Sequence, residues 1–267
     1  MSAAAPERVL APLGRRRCPV VGARRLGAYV VLTVGDEAGP RPQAGQFYML
    51  AAASRWGGGS DERPFLPRAF SVMRIAENGL QFMLEDVGPG TNRLAELGAG
   101  DDVWLLGPLG IGFARPRSGR RPILVGGGVG TAPLAIWADE LGASALVALG
   151  FRDAAHALGA ALIPGARVAT DDGSSGHHGY VTDLLRAELG CDPRSEVYAC
   201  GPPLMLEAVR ALCAELDVPA QLALESGMAC GFGACFGCVV PTRDGFVRLC
   251  VDGPVLDAAT LDHVEAH

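Results

Sequence analysis

Toward the C-terminus the chain reads Cys230-Gly-Phe-Gly-Ala-Cys235-Phe-Gly-Cys238, and Cys250 follows after eleven residues. The spacing is C-x4-C-x2-C-x11-C. Four thiolates so placed can converge on one small inorganic core, and C-x4-C-x2-C with a later cysteine is the plant-type [2Fe–2S] pattern. Gly231, Gly233 and Gly237 let amide N–H groups turn toward sulfur, and small Ala229 and Ala234 allow close wrapping. A structural zinc site prefers paired C-x2-C knuckles, and only Cys235 and Cys238 form one. The remaining cysteines, Cys18, Cys191, Cys200 and Cys213, stand apart from one another. A disulfide scaffold is not expected in a chain of this size in a reducing compartment. The cysteines therefore point to a one-electron carrier.

Two upstream stretches have the character of nucleotide sites. In Ile123-Leu-Val-Gly126-Gly127-Gly128-Val129-Gly130-Thr131-Ala132-Pro133 an apolar strand runs through a glycine turn into a helix. Such a turn lets backbone amides approach a pyrophosphate. The spacing is not G-x-G-x-x-G, and an ordinary tight strand–helix turn is the competing reading. In Val197-Tyr-Ala-Cys200-Gly201-Pro202-Pro203 a strand ends, turns and starts a helix with Pro in its first turn. That puts Cys200, Gly201 and Pro202 at the carboxyl end of a parallel strand, where open α/β sheets place ligands. Taken alone, Cys200 reads as a buried thiol.

A third stretch, Arg68-Ala69-Phe70-Ser71, precedes Gly88-Pro-Gly90-Thr91. An Arg, an aromatic ring and a Ser on one strand can hold a flavin, with guanidinium on phosphate and the ring against the isoalloxazine. Gly90 and Thr91 can offer amides to a pyrophosphate. The tempting pairs His177–His178 and Asp171–Asp172 lie in Gly/Ser-rich turns and read as solvated.

These residues need a scaffold. The chain has 267 residues, 49% hydrophobic and 19% charged, with net charge −6. That suits two globular domains and an appendage, and a mildly acidic chain is a poor nucleic-acid binder. No run reaches the roughly 18 apolar residues of a membrane span, and Met1–Arg17 lacks an apolar signal core, so a cytoplasmic protein is expected. Residues 1–17 are expected to be a flexible N-terminus. Short runs at Ala28–Val34, Gln46–Leu50, Ala69–Ile75, Leu80–Leu84 and Asp102–Leu106 predict an antiparallel β-barrel over 18–116. Apolar strands at Ile123–Val125, Ala145–Gly150, Arg167–Thr170 and Val197–Cys200 alternate with helices at Ala132–Leu141, Val181–Leu189 and Pro203–Leu216. They predict a parallel-sheet α/β nucleotide domain over 117–220. Residues 221–267 look too small to bury a core without a metal staple. The fold expected is thus α+β and multidomain: flavin barrel, nucleotide domain, small [2Fe–2S] domain.

In this order the motifs resemble the electron-transfer subunit of class 1B dihydroorotate dehydrogenase, in the ferredoxin reductase superfamily. The resemblance rests on Arg68–Ser71, Gly90-Thr91, Gly107-Pro-Leu-Gly110, Gly126–Gly130, Cys200-Gly-Pro202, Glu225, and the cysteines ending in Cys250-Val-Asp-Gly-Pro254. The family usually has Pro where Ala69 stands. The resemblance implies FAD held by Arg68–Ser71, by Met83, Leu84 and Glu85, and by Gly90 and Thr91. It implies NAD docked near Gly126, Gly127, Gly128, Gly130, Thr131 and Cys200–Pro202, with a [2Fe–2S] cluster on Cys230, Cys235, Cys238 and Cys250. It also implies an FMN-containing catalytic subunit as partner, in a heterotetramer, so that no residue of this chain oxidises dihydroorotate. Electrons would pass from that FMN through the cluster and FAD to NAD+, in pyrimidine biosynthesis. After the strand at Ala145–Gly150 stand Arg152, suited to a 2′-phosphate, and Asp153, suited to a ribose hydroxyl; the resemblance favours NAD.

Two other readings share these features. One is the related subunit of a ferredoxin:NADP transhydrogenase, a sulfide dehydrogenase or a hydrogenase. The other is a non-catalytic iron–sulfur redox sensor.

Overall fold

Short runs rich in apolar residues build the first part of the chain into strands. The computed structural model describes residues 14–57, 64–192 and 194–264. Strands β1 (Arg16–Leu26), β2 (Tyr29–Val34), β3 (Phe47–Ala52), β4 (Arg68–Ser71), β5 (Arg74–Ala76), β6 (Gly79–Glu85) and β7 (Asp102–Leu109) form one antiparallel sheet. Its order is β4-β3-β7-β1-β2-β6-β5, and β4 returns beside β6 to close a barrel. Leu32, Tyr48, Leu50, Phe82 and Leu84 are fully buried inside it.

The barrel starts earlier than expected. Residues 1–13 lie outside the described residues, but Arg16 and Arg17 already pair with Leu105 and Trp104 of β7. Only Cys18 and Val20 face inward in this part of β1, while Arg17, Pro19 and Val21 face out. That charged outer face hides the strand from a search for apolar runs. The expected run Ala69–Ile75 is two strands, parted by the fully buried Val72 and Met73. Gly90 and Thr91 fall in the first turn of a short helix, α1 (Pro89–Ala95). The Gly/Ser-containing stretch 54–67 reads as a loop by composition, and its residues 58–63 lie outside the described residues.

The second sheet is parallel over β8 (Arg121–Gly127), β9 (Leu146–Phe151), β10 (Arg167–Thr170), β11 (His177–His178), β12 (Ser195–Cys200) and β13 (Ala220–Ala223). Helices α2 (Thr131–Leu141), α4 (Val181–Cys191) and α5 (Pro203–Glu215) cover it, and a one-turn helix, α3 (Ala154–Ala157), follows β9. The expected strands and helices appear within about two residues of their places.

The C-terminal segment does not form a wholly separate body. β13 and β16 (Val255–Asp257) extend the second sheet, β16 antiparallel at its edge. Both are too short to leave a readable apolar run. Between them lie the cysteine loop, the hairpin β14 (Val239–Thr242) and β15 (Gly245–Arg248), and one helical turn, α6 (Leu249–Asp252). No helix among the described residues is long and apolar enough to cross a membrane.

Candidate redox site

The cysteine loop is laid against the barrel. Gly231 sits at φ +78°, and a Cβ there would fall 2.5 Å from Met49 Cγ on β3. Arg248 pins the loop: its Nη1 donates to Gly233 O at 3.2 Å and its guanidinium lies 5.3 Å from the Phe236 ring centroid. The four thiols fall into two pairs. Cys238 and Cys250 sulfurs are 3.2 Å apart and unbridged. Cys230 and Cys235 share the other contact. No three metal-ligating side chains among the described residues close on a single point. Two pairs suit a two-iron core that takes two thiolates at each iron.

Amides are already aimed at sulfur. Cys250 N–H points at Cys238 Sγ and Gly237 N–H at Cys235 Sγ, each at 3.5 Å. Burial pushes the Cys230 thiol up, but the amides of Cys235, Phe232 and Ala234 and the Cys235 side chain outweigh it and bring it to about 6. Burial, then Cys238 and Cys230, push Cys250 up to about 12. Crowded thiols beside anion-stabilising amides fit a cationic metal core.

A cavity of about 250 Å³ opens beside this loop. Ala69, Phe70 and Ser71 of β4, Met83 and Glu85 of β6, and Thr91 of α1 form one wall. Glu225 and Met228 also line it, Met228 two residues short of Cys230. Ser226 Oγ, also lining it, is buried without a partner, so the cavity offers a polar group to a ligand. Arg68 does not line it. Its Nη1 donates to Leu66 O at 2.6 Å and its guanidinium lies 5.9 Å from the Trp56 ring centroid. Gly90 makes room for that guanidinium: a Cβ there would fall 2.6 Å from Arg68 Nε. Thr91 Oγ1 accepts from Val87 N–H at 2.9 Å and Gly88 N–H at 3.0 Å, so its hydroxyl closes the helix start.

Leu84 departs from expectation. Met83 and Glu85 flank the cavity, and the strand's two-residue period turns Leu84 into the barrel core, fully buried.

A second cavity, of about 510 Å³, lies at the carboxyl ends of the parallel strands. Gly127, Gly128 and Pro202 line it. Gly126, Gly130, Thr131, Cys200 and Gly201 do not. Gly126 packs on Leu149 and Leu134, and a Cβ on Gly130 would fall 2.2 Å from Cys200 O. These residues let the β8 turn and the end of β12 touch backbone to backbone. Thr131 is fully buried, and burial, with nearby Glu225, holds the Cys200 thiol well above its ordinary value. Val129 and Ala132, from the same turn, line the first cavity instead. Glu85 lines both cavities, which therefore meet there.

Several lining residues carried no motif. Tyr29, whose buried hydroxyl has no partner, and Tyr180 line the second cavity. So does Asp171, read above as a solvated turn residue. Its place at the carboxyl end of β10 was the available signal. His177 and His178 are exposed on β11, as the solvated reading held, although in a strand. Asp153 turns away from the cavity and caps α3, accepting from His156 N–H at 3.0 Å.

Comparison with known proteins agrees with this arrangement. The model of the iron-sulfur cluster binding domain of dihydroorotate dehydrogenase B matches residues 225–262. Among solved structures, an NADH-dependent reduced ferredoxin-NADP oxidoreductase superposes with TM-score 0.75 at 22% identity, covering 92% of this chain and 90% of that one. The ferredoxin reductase in carbazole 1,9a-dioxygenase gives 0.64 at 23% identity, covering 77% and 66%. Both share the fold. The electron transfer subunit of dihydroorotate dehydrogenase B (NAD(+)) from Bacillus caldolyticus is 38% identical over 92% of this chain and 98% of its own length. That from Caldanaerobacter subterraneus subsp. tengcongensis is 34% identical over 90% and 96%. By identity and by near-complete coverage, this chain belongs to the electron transfer subunits of dihydroorotate dehydrogenase B (NAD(+)), an oxidoreductase family with an iron–sulfur domain.

Proposed function

We propose that this chain relays electrons between an FMN-containing, dihydroorotate-oxidising partner and NAD+, within a cytoplasmic heterotetramer serving pyrimidine biosynthesis. The carrying observation is the contiguity of three sites: Met228 joins the cysteine loop to the first cavity, and Glu85 joins the first cavity to the second. Ala69–Ser71, Met83, Glu85 and Thr91 would hold FAD, with Arg68 beside Gly90 placed for its phosphates. Gly127, Gly128 and Pro202 would hold the nicotinamide nucleotide, and Cys230, Cys235, Cys238 and Cys250 the [2Fe–2S] cluster. When bound, a flavin beside such a cluster supplies conversion between two-electron and one-electron transfer. The residues themselves bind, orient and shield. Phe47, Leu224 and Pro254 line the first cavity with apolar surface and would shield a bound flavin from water.

The test is the isolated chain loaded with FAD and cluster. NADH should reduce an artificial acceptor through it, and dihydroorotate should not. Oxidation of dihydroorotate by the pure chain would place that chemistry here and overturn the division of labour. Loss of dye reduction at full FAD loading would favour a redox sensor.

A further inference from the structure

We propose that Asp171 repels the 2′-phosphate of NADP(H), and that Glu85 reinforces the choice by holding Arg152, so that the second cavity selects NAD(H). This rests on reading that cavity as the nicotinamide-nucleotide site.

The cavity has two distinguishable ends. One end carries Glu85 and the glycine turn, whose Val129 and Ala132 face the first cavity. A nicotinamide that exchanges hydride with a flavin must lie there. The other end is formed by Asp171, Tyr180, Val181 and Thr182, beyond β9 and β10. The adenosine half of the dinucleotide falls to this end. Tyr180 is 68% exposed and Leu204 79% exposed, yet both line the cavity. Exposed apolar faces at a cavity mouth suit a flat purine.

Charge at that end decides between the two nucleotides. Arg152 follows β9 at a point where the chain lies beside Asp171 and is the cation that a 2′-phosphate would seek, but its guanidinium is drawn away to the Glu85 end of the cavity. Its Nη2 is ion-paired with Glu85, and its Nε donates to His156 Nε2 at 2.9 Å. His156 in turn sits between two carboxylates, with Nδ1 2.7 Å from Asp153 Oδ1 and Nε2 3.3 Å from Glu85 Oε1. Asp171 is exposed and makes no side-chain hydrogen bond or ion pair among the described residues. Its main chain is fixed by a bond from its N–H to Phe151 O at 3.0 Å. A free carboxylate there can accept from ribose hydroxyls and opposes a phosphate dianion. The acidic residue therefore comes from the end of β10, whereas the usual Rossmann position, after the second strand, is spent on capping α3.

The experiment titrates NAD+ and NADP+ calorimetrically into the oxidised protein with flavin and cluster in place, where neither nucleotide reacts. Wild type should prefer NAD+. Asp171→Asn should narrow the NAD+/NADP+ affinity ratio about ten-fold, chiefly by tightening NADP+. The double variant Asp171→Asn with Glu85→Gln should narrow it further, because Arg152 is then released. Asp172→Asn is the control: Asp172 lies outside the cavity, and an amide oxygen can still accept from Ser174. Its ratio should stay within about two-fold of wild type. NAD+ binding with a ratio unmoved by Asp171→Asn, or moved equally by Asp172→Asn, would overturn the inference alone. Failure of wild type to bind either nucleotide would overturn the reading of the cavity as well.

Discussion

At the scale of single residues, neighbours in sequence differ because their side chains point to different surroundings. Leu84 lies between two cavity residues yet belongs to the core. Leu84→Ala should destabilise the protein by about 2–5 kcal/mol, seen as a lower thermal midpoint, with flavin affinity of the folded protein retained. Unchanged stability would return Leu84 to the site. Gly90 is the converse, an unobtrusive residue whose missing side chain positions another. Gly90→Ala presses on a flexible guanidinium, so the fold should survive. With Arg68 displaced from the phosphate position proposed for it, FAD binding should weaken about ten-fold or more, on the scale of a charge-assisted hydrogen bond. Flavin fluorescence during dialysis would report it, and wild-type retention would remove Arg68 from the phosphate site.

At the scale of elements, the cysteine loop depends on a hairpin that supplies no thiol between Val239 and Arg248. Arg248, the last residue of β15, joins that hairpin to the loop through Gly233 O and the Phe236 ring. Exposed cation–π contacts are worth about 0.5–1 kcal/mol, so Arg248→Ala should leave the cluster in place but loosen its cradle. Visible absorbance under a chelator should then decay several-fold faster than in wild type, and an equal rate would contradict the stapling role. The cysteines were legible because ligand spacing is written in the chain itself. The strands β8, β9, β10 and β12 were legible because parallel strands buried on both faces are continuous apolar runs. β1 was not, since its arginines mask a two-residue alternation. β13 and β16 were not, since three- and four-residue strands draw their stability from the sheet they join. For the same reason the expected boundary near residue 220 divides a segment that the second sheet shares with the cysteine loop.

At the scale of the whole molecule, barrel and sheet act as one frame. Their cores are continuous from Tyr29 and Met83 to Phe151 and Trp137. Arg74 of β5 adds a bracket, donating to Asp139 of α2 at 2.6 Å and to Leu162 O at 2.7 Å. A partly exposed pair of this kind contributes about 0.2–1 kcal/mol, so the shared core does most of the holding. The order of the motifs announced the three sites. Their contiguity needed the fold, because Glu85, Met228 and Val129 meet only when three distant segments close on one another.

The central claim is that the four cysteines form the relay between this chain's flavin and its partner. It is tested by Cys235→Ser in the complex with the catalytic subunit, following FAD absorbance in rapid-mixing experiments with each reductant in turn. Cys235 is exposed, so the substitution should spare the fold. NADH should reduce FAD at the wild-type rate, and dihydroorotate should reduce it at least about a hundred-fold more slowly, as loss of one of four ligands disables the cluster. Reduction by dihydroorotate at the wild-type rate would contradict the relay, even with the cluster itself confirmed.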